Sequence, residues 1–164
     1  FMLSLRRKIG SSSGRRREQR FAVFFIDLNH FKHINDHFGH GAGDRVLVEV
    51  AQRLRDTVRS QDLVARLSGD EFAILLDHMD TRQDLEIVRQ HIQTALQLPF
   101  AALDYDTALV MDFGGSVGGA AFPDDGEDAE ELLARADRRM YKQKFRNRTV
   151  DSEFPRYREF DPPG

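Results

Sequence analysis

The chain has 164 residues, 40% of them hydrophobic and 31% charged, with a formal net charge of −3 and no cysteine. That is one domain's worth of core, and it excludes a disordered chain, a disulfide framework and a thiolate metal site, leaving oxygen or histidine to hold any metal. The charge balance gives no global pull toward nucleic acid, and no run approaches the ~18 consecutive apolar residues of a membrane span. The expected setting is soluble and cytoplasmic, and function has to come from local motifs.

Phe1 to Ile9 reads as the last turns of an amphipathic helix, without a start methionine or a signal-peptide pattern. Ser11-Ser12-Ser13-Gly14 is expected to be a flexible break, and Arg15 to Arg20 a solvated basic face. Phe21 to Leu28 is a short continuous apolar run, as in a strand buried on both faces. Phe31, Ile34 and Phe38 then repeat at helical spacing until Gly39. A longer helix follows Gly41-Ala42-Gly43-Asp44, with Val46, Leu47, Val50, Ala51, Leu54 and Val58 on one face.

Leu63 to Leu67 and Phe72 to Leu76 flank Ser68-Gly69-Asp70-Glu71 and predict a hairpin with a tight polar turn. A helix is expected over about 81–97, strands over 108–111 and 115–122, a turn at Pro123-Asp124-Asp125-Gly126, and a last helix over about 129–144. The tail from Asp151 carries three prolines and reads as a strand end running into a linker. The hairpin makes the sheet mixed, so the expected fold is α+β, a ferredoxin-like sandwich, rather than a doubly wound parallel sheet.

Acidic residues stand where structure alone does not ask for them. Asp27 ends a hydrophobic strand, where a carboxylate is costly unless it meets a cation. Asp70 and Glu71 sit at the hairpin tip, and if the strands are neighbours all three carboxylates converge at one edge. Hard oxygen ligands of that kind select Mg²⁺ or Mn²⁺, commonly together with phosphate. Lys32 offers a cation for phosphate. Asn35 and Asp44 offer acceptors for a guanine edge, or they are helix caps.

These motifs occur in order: Phe25-Ile26-Asp27-Leu28-Asn29-His30-Phe31-Lys32-His33-Ile34-Asn35-Asp36, Gly39-His40, Gly43-Asp44 and Arg66-Leu67-Ser68-Gly69-Asp70-Glu71-Phe72. Gly115-Ser116-Val117-Gly118, Phe122 to Gly126, Leu132-Leu133, Ala136-Asp137, Met140-Tyr141 and Lys144 follow. Together they strongly resemble the GGDEF family of diguanylate cyclases. The resemblance assigns residues 1–150 to one N-terminally truncated domain and 151–164 to a C-terminal tail or linker. It implies a nucleotidyl-cyclase palm, with a central, mostly antiparallel sheet flanked by helices. Two copies, each holding one GTP, would join head to tail to make cyclic di-GMP and pyrophosphate, in a protein fused to sensor or phosphodiesterase domains.

By motif, Asp27, the Leu28 carbonyl and Asp70 would bind Mg²⁺. Asp70 would also accept the proton of the 3′-hydroxyl, and Glu71 would help with a second metal. Asn35 and Asp44 would read guanine, with His40 in the same pocket. Lys32, Lys144 and Arg148 would meet the phosphates. Arg59-Ser60-Gln61-Asp62 resembles the family's Arg-x-x-Asp product-inhibition site, where a guanidinium fork suits phosphate or a guanine edge.

Ser68 departs from the signature glycine, and where that position needs φ > 0 serine costs on the order of 1 kcal/mol. Phe145-Arg146-Asn147-Arg148 is bulkier than the family's Gly-Arg-Asn, and the opening Asp-x-Leu-Thr-Gly-Leu segment is absent from the chain as given. Two function classes follow. One is a Mg²⁺-dependent diguanylate cyclase with product feedback. The other, favoured by Ser68 alone, is a non-catalytic module that holds GTP or cyclic di-GMP. An RNA-binding ferredoxin-like domain would need exposed sheet aromatics beside a basic surface, and here the aromatics sit in buried-looking runs.

Overall fold

The structure, a computed structural model, describes residues 1–13, 20–98, 100–104, 107–111, 114–150 and 157–159, with side chains at 1–11, 20–98, 100 and 114–146. Among the described residues the elements in order are α1 (Met2–Ser13), β1 (Arg20–Leu28), α2 (Phe31–Thr57), β2 (Leu63–Ser68), β3 (Glu71–Met79), α3 (Gln83–Gln97), β4 (Phe100–Asp104), β5 (Thr107–Met111), β6 (Gly115–Phe122), α4 (Ala129–Val150) and β7 (Tyr157–Glu159). A four-stranded sheet runs β2-β3-β1-β6, and every neighbouring pair in it is antiparallel. The expected α+β fold is therefore observed.

β1 is central because both of its faces are apolar. Ala22, Phe24, Ile26 and Leu28 pack with α2 and α3 residues such as Ile34, Val50, Leu54, Ile92 and Leu96. Phe21 and Val23 turn the other way, toward Leu5 of α1 and Leu132 and Ala136 of α4. Side chains alternate along a strand, so the pleat sends odd-numbered residues of β1 toward α4. Asp27 is one of them. At the far end of β1, Phe21 stacks on Phe122 with ring centroids 4.7 Å apart.

α4 lies close on β6 because Gly118 has no side chain; a Cβ there would stand 2.1 Å from the Ala136 carbonyl oxygen and 2.2 Å from the Met140 nitrogen. Side chains also close the outer edge of β6. Gln93 donates to the Gly115 carbonyl, Val117 N–H donates to Gln143, and Arg139 donates to the Gly119 carbonyl. An edge strand filled this way cannot pair freely with another chain.

Two expectations need correction. α1 continues through Ser13, so the serine run is helical where a flexible break was expected. Ser11 Oγ donates to the Lys8 carbonyl at 2.8 Å, a local bond that fits serine into a last helical turn. The second sheet, β4-β5-β7, was not expected as a sheet; only the stretch at 108–111 and a strand end in the tail from Asp151 were. Its strands are three to five residues long, too short for a clear alternation. Gly39, at φ 79° and ψ 164°, interrupts α2 where the sequence placed the helix stop.

Candidate functional site

The site gathers where β1 ends. Asp27 lies opposite Glu71 of β3 and Ser116 of β6. Leu28 N–H donates to the Asp70 carbonyl at 3.1 Å, which ties the hairpin tip to the strand end. Asn29 continues the edge through its N–H to the Gly114 carbonyl at 2.8 Å, and Ser116 Oγ lies 2.9 Å from its side-chain oxygen. Only 9% of the Asp27 side chain is exposed, and Lys144 Nζ donates to both of its oxygens at 2.7 Å. The cation that the sequence demanded for this buried carboxylate is thus a lysine of α4.

The turn between β2 and β3 is made by Gly69, in the left-handed region at φ 41°, and by Asp70. Arg66 Nε donates to the Gly69 carbonyl at 2.8 Å and braces the turn. Burial pushes the Asp70 carboxyl above its ordinary value. A backbone hydrogen bond opposes that rise, Asp27 adds to it, and Lys144 and Glu71 pull in opposite senses. Ser68 does not have the positive φ on which a strain penalty depends; His30 is the only non-glycine with one among the described residues. Its hydroxyl instead donates to Glu71 Oε2 at 2.7 Å. That link is the feature the sequence reading missed.

Asp27 and Glu71 are register partners across β1 and β3, and both act electrostatically on Asp70. Their donor set is hard oxygen, and Asp27 is a buried anion that needs a cation, so by type these residues fit Mg²⁺ or Mn²⁺. In this arrangement Lys144 holds Asp27 and Ser68 holds Glu71. No three His, Asp or Glu side chains among the described residues gather into a ready metal cage.

The interrupted α2 places the base-reading candidates. Asn35 and Gly43 face each other across the Gly39 break, and a Cβ on Gly43 would stand 1.9 Å from Asn35 Oδ1. The N-cap of α2 is His30, with no side-chain cap hydrogen bond, and Asn35 and Asp44 both lie inside α2. Asp44 lines a cavity of about 390 Å³ with Leu47, Arg55, Val64, Arg66 and Phe72. Lys32 and His40 are exposed on the same segment. Arg148 falls in the last turn of α4, and its side chain lies outside the described residues.

Arg59 and Asp62 stand apart from this cluster, in the loop before β2. Asp62 accepts Arg59 N–H at 2.9 Å and Asp77 N–H at 2.8 Å, which pins the loop to β3. The Arg59 guanidinium makes no hydrogen bond among the described residues. With Asp62, His78, Asp84 and His91 it lines a cavity of about 270 Å³.

Comparison with known proteins comes from both sequence and structure. The family model described as "Diguanylate cyclase, GGDEF domain" matches residues 2–149. The Pseudomonas aeruginosa protein named diguanylate cyclase TpbB is 42% identical over 125 residues, 76% of this chain and 28% of that protein. The P. aeruginosa protein named cyclic di-GMP phosphodiesterase NbdA is 41% identical over 142 residues, 87% of this chain and 18% of that protein. The crystal structure of the TpbB (YfiN) GGDEF domain superposes with a TM-score of 0.81 at 37% identity, covering 89% of this chain and 88% of that one. The chain thus spans less than a third of those two curated relatives.

Proposed function

The chain belongs to the GGDEF family of diguanylate cyclase domains, and from that membership we propose that it condenses two GTP molecules into cyclic di-GMP and pyrophosphate. The observation that carries the reading is the meeting of Asp27, Asp70 and Lys144 where β1 ends. In each step a ribose 3′-oxygen bonds to the α-phosphorus of the other GTP, the bond to the bridging oxygen breaks, and pyrophosphate leaves. Such transfer needs mainly positioning and charge neutralisation. Asp27, Asp70 and the Leu28 carbonyl would hold Mg²⁺ or Mn²⁺, with Glu71 assisting a second ion. The metal supplies charge for the phosphate oxygens and lowers the barrier to attack.

The protein's own groups do the rest. Asp70 accepts the 3′-hydroxyl proton. Lys144, Lys32 and Arg148 neutralise the phosphates, and Asn35 and Asp44 read the guanine edge, with His40 beside them. One domain presents one GTP, so a homodimer completes the reaction. The Arg59–Asp62 loop is the proposed site of product feedback. The surrounding protein carries sensor or phosphodiesterase domains, in keeping with the length of the named relatives. No helix among the described residues is long and apolar enough to cross a membrane; the cytoplasmic placement of the domain is part of this proposal.

A second reading, a module that binds GTP or cyclic di-GMP without turnover, is favoured by one observation, the Ser68 hydroxyl on Glu71. Incubation with GTP and Mg²⁺, with products separated by chromatography, decides between them. Cyclic di-GMP from the parent and none from Asp70→Asn supports the cyclase. Nucleotide binding without product from a dimeric parent supports the module.

A further inference from the structure

A cavity of about 820 Å³ lies between α3 and α4, over Val117–Gly119 of β6. Its lining carries Arg82, Arg89, Arg139, Lys142 and Arg146, with Glu86 as the one acid among them. Arg82, Arg89 and Arg139 are held by acids of the fold. Asp125 takes Arg139 through two bonds at 2.8 and 2.9 Å and Arg82 at 3.1 Å, and Glu86 takes Arg89. Lys142 is different. It makes no ion pair or hydrogen bond among the described residues and stands one helical turn before Arg146. Like charges at that spacing repel each other along a helix.

The place of the cavity matters as much as its charge. α4 sends Lys144 to Asp27 on one side and offers Lys142 and Arg146 to the cavity on another. α3 gives Asp84, Val88 and His91 to the Arg59 cavity and Arg89 to this one. An anion held here touches both helices and neither of the sites already described. We propose that the α3–α4 cavity binds a diphosphate group, free or carried on a nucleotide. Lys142 and Arg146, with Cβ atoms about 5–6 Å apart as one-turn neighbours are, form a wall for two adjacent phosphates. Arg82 and Arg139, fixed by Asp125, supply a positive surface that pays little ordering entropy when the anion arrives. The inference does not depend on the cyclase reading.

Calorimetric titration of the whole chain with pyrophosphate in EDTA tests it, because metal-dependent nucleotide binding is silent there. GDP and GMP are the comparison ligands. Saturable pyrophosphate binding is expected, weakened at least about tenfold in Lys142→Gln/Arg146→Gln, as loss of two charge-assisted contacts requires. Lys142→Arg/Arg146→Lys should keep it, and Asp70→Asn should leave it unchanged. GDP bound as well as pyrophosphate supports a nucleotide as carrier, and pyrophosphate bound alone supports the free anion. Thermal melts establish that each variant is folded. No saturation at millimolar pyrophosphate, equal binding by a folded Gln double variant, or GMP bound as tightly as GDP overturns the proposal.

Discussion

Lys144 Nζ stands 2.7 Å from each carboxylate oxygen of Asp27 and joins α4 to the end of β1. Two features of the sequence make this contact. The strand period turns Asp27 toward the α4 face, and Gly118 lets α4 approach β6 closely enough for a lysine to reach across. The pair is asymmetric, since 9% of the aspartate side chain is exposed against 26% of the lysine. The anion therefore depends on the cation more than the cation depends on it.

Lys144→Gln should destabilise the fold by about 1–3 kcal/mol, less than the loss of a fully buried partner because the lysine is partly solvated. Asp27→Asn in the same chain should recover much of that loss, since no uncompensated charge remains. Urea unfolding of the parent, both single variants and the double variant measures the coupling. Additive effects would show that the 2.7 Å contact contributes nothing to stability.

Ser68→Gly should not release strain, because Ser68 lies outside the left-handed region that favours glycine. It should cost about 0.5–1 kcal/mol in backbone entropy and free Glu71 from its 2.7 Å hydrogen bond. The expected result is a lower melting temperature and no rise in turnover at saturating GTP. A gain in stability would mean that serine is strained there after all.

The sequence made the strands of the central sheet, the hairpin and the Gly39 break legible because each has a local cause. Phe21 to Leu28 is apolar on both faces, Gly69-Asp70 is turn chemistry, and glycine stops helices. The cost weighed for Ser68 was conditional on a positive φ that the position does not have, and its φ and its Glu71 partner depend on how β2 pairs with β3. The Lys144–Asp27 pair spans 117 residues, and only the packing of α4 on β6 brings it together. Asn35 and Asp44 show the reverse case. Their residue types allow caps or base readers, and the Gly39 break, close to both in sequence, brings Asn35 against Gly43.

Asp125 should give the domain an acid-sensitive joint between β6, α3 and α4. Burial alone would raise its carboxyl, but Arg139, the Ala121 N–H and Arg82 overcome that and lower it to about 2. A carboxyl depressed in the folded state stabilises the fold above its unfolded value, and that contribution is lost as pH falls through the folded value. The window therefore runs from the ordinary 3.8 down to about 2, and the contribution is on the order of 2 kcal/mol. Asp125→Asn should flatten the pH dependence of melting over this range and lower stability at pH 7. A variant that kept the parent's slope would place the acid sensitivity elsewhere.

Arg59 and Asp62 should separate cleanly when tested with cyclic di-GMP. Both oxygens of Asp62 already accept backbone N–H groups, so Asp62→Ala should loosen the loop before β2 and cost about 1–2 kcal/mol of stability as well as affinity. The Arg59 guanidinium has no hydrogen bond to lose among the described residues, so Arg59→Ala should melt like the parent. It should nevertheless lose about 1.5–3 kcal/mol of product binding, the worth of a charge-assisted contact. The Asp70 turn lies at the opposite end of β3 from the Asp77–Asp62 bond, so Asp70→Asn should bind the product as the parent does. Calorimetry on the three variants, each paired with a thermal melt, distinguishes a ligand site from a structural loop. Were Arg59→Ala to bind as tightly as the parent, the carboxylate of Asp62 would remain a staple between loop and strand, and the Arg-x-x-Asp motif would have no role in feedback.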